Sequence, residues 1–198
     1  FEKRVRNRHL RLNGFVNTAS LSKPGRLDTA TPMPSDNDGL WTALYLSAQS
    51  YRYAVTGEQE ARDRAKQAFH AMKWLEEVTT VPGFPTKAIV GMGDNTGRDS
   101  VPWYPSADNK WLWKGDCSSD EIDGHMYGYS TYYDLAADET EKEHIRTLVP
   151  KIMDHILDHG YFLVGPDGQR TRWGVWAPSH LNGPWRAQQG LNSLEILA

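Results

Sequence analysis

Ten consecutive residues, Asp116 to His125, carry four carboxylates (Asp116, Asp120, Glu121 and Asp123) and an imidazole. Ser118 and Glu121 have capping-box spacing, so a helix is expected to start here, and the positive end of its dipole favours ionised carboxylates nearby. Glu121 and His125 stand four residues apart on one helical face, where a carboxylate can orient an imidazole as an acid/base pair. The plainer use of Asp120 and Glu121 is to serve the first helical turn. Asp123 and His125 lie deeper on a helix whose other face is apolar, where that use carries less weight.

A second acidic stretch, Ser35-Asp36-Asn37-Asp38-Gly39-Leu40-Trp41, leads into another expected helix, with Asp38 as its natural N-cap. Asp38, Trp41, Thr42 and Tyr45 share a helical face. A carboxylate beside a tryptophan suits a sugar, whose apolar ring face stacks on indole while its hydroxyls bond the acid. The alternative is one acid capping the helix and the other, Asp36, solvated in the loop.

Aromatic loops form the third feature: Trp103, Tyr104, Trp111 and Trp113 in one, Trp173, Trp176 and Trp185 in the other. Loop tryptophans either pack on each other or bind a ligand, because exposed they cost solubility. Arg170, Arg172 and Arg186 share the second loop and could hold an acidic ligand through a bidentate guanidinium–carboxylate contact. The acids of 94–99 miss the spacing of a calcium loop, so no metal is expected there and no cofactor elsewhere. Cys117 has no partner pattern for a nucleophile, and Gly-x-Ser-x-Gly, His-Glu-x-x-His and phosphate-binding glycine loops are absent from the sequence.

The elements that must position these residues follow from periodicity. Apolar residues recur at helical spacing over 38–56, ending at Gly57, and over 59–79, and the short link makes the two helices an antiparallel hairpin. A second hairpin is expected from a helix over 118–136 and one that follows Ala137-Asp138 and stops at Gly160, the latter kinked at Pro150, which removes one backbone donor. Phe1 to Leu10 reads as the end of a helix and 189–198 as a helix without a stop signal, so the chain is expected to be a fragment of a longer domain. The connection 160–187 contains a β-hairpin, 161–164 with 170–173, around Gly165-Pro166-Asp167-Gly168. Short turns at one end and long loops at the other bring the helix N-termini and the loops to one face.

Charge narrows the partners. With 22 Lys+Arg against 25 Asp+Glu, the net charge is 22 − 25 = −3, which argues against a nucleic-acid or anionic-membrane coat. The basic run from Lys3 to Arg11 then reads as a solvated helix face, and no apolar run approaches the ~18 residues of a membrane span.

The helical hairpins, the Asp-Asn-Asp-Gly-Leu-Trp stretch at 36–41, the Ser-Ser-Asp-Glu-Ile-Asp-Gly-His stretch at 118–125 and Arg-Trp-Gly-Val-Trp at 172–176 together resemble the six-hairpin glycosidase-like (α/α)6 toroids. Within that group the chain is similar to bacterial polysaccharide-utilisation proteins related in architecture to unsaturated glucuronyl hydrolases. The resemblance implies an all-α fold, a partial toroid with one small β-hairpin, and one domain over 1–198 that is part of a larger toroid. It also implies export to the periplasm or the medium.

The same toroid hosts hydrolases, lyases and epimerases. The expected activity is a glycoside hydrolase acting on an acidic or plant-type oligosaccharide. Its general acid would come from Asp120, Glu121 and Asp123, its second carboxylate from Asp36 or Asp38, and its binding surface from Trp41, Trp111, Trp113, Arg172, Trp173 and Trp176. The alternatives are a polysaccharide lyase using His125 as base and a tyrosine such as Tyr127 as acid, or a non-catalytic carbohydrate-binding module. An incomplete toroid would leave apolar helix faces to a second copy or to the rest of the domain.

Overall fold

The structure, a computed structural model, describes residues 1–12, 14–94, 96 and 101–197. Most of the loop at 94–99 considered for calcium, and the last residue of the final helix, therefore lie outside the described residues.

After a short α1 (Glu2–Arg8), two long helices form the first hairpin, α2 (Asp38–Thr56) and α3 (Gln59–Glu77). Gly57 ends α2 in the left-handed region at φ 67°, a conformation that costs glycine little. Along α3, Ala61, Ala65, Ala68, Met72 and Leu75 are buried at helical spacing, so one stripe packs inward while Glu60, Arg64 and Lys73 stay outside it. The second hairpin is α4 (Ser119–Leu135) and α5 (Glu139–Asp158). Asp138 starts α5 with a complete capping box to Glu141, and the helix continues through Pro150. Short α6 (Pro178–Leu181) and α7 (Gln189–Leu197) close the chain. Among the described residues no helix is long and apolar enough to cross a membrane.

The chain is mixed α/β, which corrects the all-α expectation. Two small antiparallel pairs, β1 (Leu10–Arg11) with β2 (Phe15–Val16) and β3 (Ala19–Ser20) with β4 (Thr31–Pro32), lead into α2. The long connection between the helical hairpins holds an antiparallel sheet of order β5-β7-β6, from β5 (Ile89–Gly91), β6 (Trp103–Pro105) and β7 (Trp111–Lys114). The fourth sheet is the expected hairpin, β8 (Phe162–Val164) with β9 (Arg170–Val175).

The reason for the correction lies in the period of the tryptophans. Trp111 and Trp113 are two residues apart, which is one face of a strand. Trp111 packs edge-on against Trp74 of α3 at 4.8 Å, and Trp113 meets its cross-strand partner Tyr104 at 4.7 Å. Both serve the core, each aromatic pair adding about 1 kcal/mol beyond its buried area.

The central contact of the fold is α2 against α4, and glycine makes it close. A Cβ on Gly124 would lie 2.6 Å from the Leu40 Cα, and one on Gly128 would lie 3.0 Å from the Ala43 Cβ. Two backbones at that distance leave no room for larger side chains, so the N-terminal turns of α2 and α4 are locked side by side. The outward face of α2 leaves Trp41, Leu44, Tyr51 and Val55 exposed.

Candidate functional site

The two locked N-termini open into a cavity of about 310 Å³. Asp36 and Asn37 line it from the entrance to α2, and Ser118, Ser119 and Asp120 from the first turn of α4. Ser118 Oγ donates to Asn37 Oδ1 at 3.3 Å, and Asn37 Nδ2 donates to Asp120 Oδ2 at 3.4 Å, which ties the two sides together. Ser118 occupies the N-cap position of α4 but its hydroxyl makes no cap bond. The expected capping box with Glu121 is therefore not formed.

Aromatic rings supply the opposite wall. Trp173 of β9 is 42% exposed and meets Trp185 edge-on at 5.2 Å, and Gln188 completes that side. The position of Trp173 has two causes. Its backbone bridges that of Ser118 in parallel, pinning β9 to the start of α4. Beside it, Arg172 is held by Asp116, whose carboxylate accepts from the Arg172 backbone N–H at 2.6 Å and from its guanidinium at 3.0 Å. That guanidinium also lies 5.3 Å from the Trp173 ring centre. Arg172 thus positions the tryptophan, with its charge already paired.

The carboxylates divide by environment. Asp36 pairs with Lys114, which holds the Asp36 carboxyl below its ordinary range, so it stays ionised at neutral pH. Asp120 is exposed in the cavity mouth. Asp38, by contrast, is fully buried and accepts from Arg11, from Asn17 and from the N–H and hydroxyl of Ser35. Burial pushes its pKa up against the pull of Arg11. With its donors all inside the protein, Asp38 anchors the N-terminal strands to α2 and does not reach the cavity.

Glu121 and His125 are also sealed inside. Glu121 has no exposed surface, and its carboxyl faces the N–H groups of Gly39 and Leu40 at the start of α2, near enough to act electrostatically but without hydrogen-bond geometry. Burial, reinforced by Asp38, raises its pKa well above the carboxylate range. His125 directs Nδ1 to the Glu121 carbonyl at 2.7 Å and packs on Tyr129, and burial lowers its pKa, favouring the neutral ring. The imidazole therefore meets the backbone of Glu121 rather than its carboxylate. Tyr127 is half exposed on a different face of α4, so a base and acid built from His125 and Tyr127 do not converge on one space.

The remaining expected residues are dispersed. Asp123 lies one turn beyond Asp120, outside the cavity lining, and interacts with Glu195 of α7; burial raises both, Glu195 to about 7. Trp176 is buried and donates its indole N–H to Glu195. Trp41 lines a separate apolar groove of about 430 Å³ along the outer face of α2. Trp111 and Trp113 belong to the core, as described above.

Of the expected site residues the cavity gathers Asp36, Asp120 and Trp173, with Arg172 immediately behind. Asn37 and Trp185 were visible in the motifs, but without a role. Lys87 and Gln188 carry no sequence signal, since a single lysine or glutamine in a long connection has no pattern. Among the described residues no group of three or more His, Cys, Asp or Glu side chains is arranged to hold a metal ion.

Comparison of the chain with protein-family models, with curated proteins and with solved structures finds no match.

Proposed function

We propose that this protein is a carbohydrate-active enzyme, a glycoside hydrolase whose sugar lies in the cavity between the N-termini of α2 and α4. The observation that carries the reading is the pairing of a wall of exposed Trp173 and half-buried Trp185 with two carboxylates, Asp36 and Asp120, in one cavity. Indole presents a flat apolar face for a pyranose ring, and the polar rim of Asn37, Ser119 and Gln188 offers both donors and acceptors to its hydroxyls.

The two carboxylates take different roles because their surroundings differ. Asp120, open to solvent and in no ion pair among the described residues, passes a proton taken from solvent to the glycosidic oxygen as the bond to the anomeric carbon breaks. Asp36, kept ionised by Lys114, stabilises the positive charge that develops on the ring and orients the water that adds to the anomeric carbon. The water proton passes to solvent or to a carboxylate, and the products are two sugars, one with a new reducing end.

Incubation with a panel of neutral and uronic-acid oligosaccharides tests this reading. New reducing ends without a conjugated double bond in the product are expected, and Trp173→Ala should weaken substrate binding. A conjugated product would mean elimination, and binding without turnover would mean a carbohydrate-binding module. Either result overturns the hydrolase.

A further inference from the structure

We propose that Lys87 is the specificity-determining residue of the cavity and that the sugar it selects carries an anionic substituent, a carboxylate or a sulfate ester. The proposal rests on the carbohydrate reading above and adds the chemical class of the sugar.

Lys87 is only 5% exposed, yet it lines the cavity and makes no hydrogen bond or ion pair through its ammonium with any described residue. Its backbone explains why it is held there. The Lys87 N–H donates to the Lys114 carbonyl at 3.2 Å, and the Lys87 carbonyl accepts from the Asp38 N–H at 3.1 Å. The backbone of the residue is clamped between the end of β7 and the start of α2, which fixes its Cα at the cavity wall.

Among the described residues the neighbouring cations are already in ion pairs. Lys114 already pairs with Asp36, and Asp116 already pairs with Arg172. Asp120 stands at the positive end of α4 and accepts from Asn37. The charge of Lys87 reaches Asp36 and Glu121 only through space, without an ion pair to either. The stem of Lys87 is packed inside the protein while its ammonium is left to the cavity, where an anion on a ligand can pair with it. The uncapped first turn of α4 adds backbone donors on the same side of the cavity. An anionic group on the sugar stacked against Trp173 answers both features with charge-assisted hydrogen bonds, where the hydroxyl of a neutral sugar offers only the weaker neutral acceptor.

The test is calorimetric titration of matched neutral, carboxylated and sulfated disaccharides, in gluco and galacto configurations, into the full chain. Wild type is expected to bind a carboxylated or sulfated member roughly tenfold or more tightly than its neutral counterpart, the scale of a hydrogen bond to a charged group. Which of the two anionic arms shows the preference identifies the substituent. In Lys87→Met the preference should fall to about twofold or less while neutral binding persists, and Lys87→Arg should keep most of it. Equal binding of neutral and anionic sugars by wild type, or a preference that survives Lys87→Met, overturns the proposal and leaves the carbohydrate reading standing. Binding of none of the sugars overturns that reading and the proposal with it. The wild-type comparison alone decides the matter should Lys87→Met fail to fold.

Discussion

Ser118 and Asn37, 81 residues apart in sequence, share a hydrogen bond of 3.3 Å across the N-termini of α4 and α2. That contact places the two acidic stretches, each at the mouth of its own helix, on one cavity. It also sorts their acids: Asp36 and Asp120 face the open space, while Asp38 and Glu121 face the interior.

Asp38→Asn should destabilise the fold by about 3 kcal/mol, the cost of leaving a partly buried Arg11 without its counter-charge. Asp120→Asn, at an exposed position, should stay within about 0.5 kcal/mol of wild type. Urea unfolding of the two variants separates an anchoring acid from a cavity acid, and equal losses would contradict the division.

Gly124→Ala should cost about 1–3 kcal/mol, because its Cβ would meet the Leu40 backbone at 2.6 Å and force α2 and α4 apart. Gly190→Ala, in open space on α7, should instead be neutral or stabilising by about 0.5 kcal/mol. Thermal unfolding of both checks the direction. A harmless Gly124→Ala would mean that the close approach of the helices is not required.

These features differ in how far they can be read in advance. The helix over 38–56, its Gly57 stop and the second hairpin are legible because the apolar period and the turn residues agree. The sheet β5-β7-β6 is not, since Trp111 and Trp113 look like loop aromatics until Tyr104 is seen across from Trp113. The acids were legible as a set but not in their division. Which carboxylate faces inward depends on Gly39 and Gly124 letting two helices touch, and on Arg11 arriving from the N-terminal strands. Lys87 had no pattern, because its place is fixed by backbone bonds to two distant elements.

Docking of α7 should depend on pH through Glu195, which burial raises from 4.5 to about 7 beside Asp123 and the Trp176 indole. The folded chain holds this proton more tightly than the unfolded one. Its contribution is therefore complete below about pH 4.5 and lost as pH rises through about 7. Thermal midpoints of wild type should fall relative to those of Glu195→Gln over that window. A constant difference between the two proteins would show that Glu195 is not buried against α4.

The most direct measurement on the central claim compares turnover and binding in Asp120→Asn, using whichever oligosaccharide wild type cleaves. The predicted result is that release of reducing ends falls by roughly a hundredfold or more, the contribution of a general acid, while sugar affinity stays within about threefold of wild type. Undiminished turnover in Asp120→Asn would contradict the account and place the catalytic acid elsewhere.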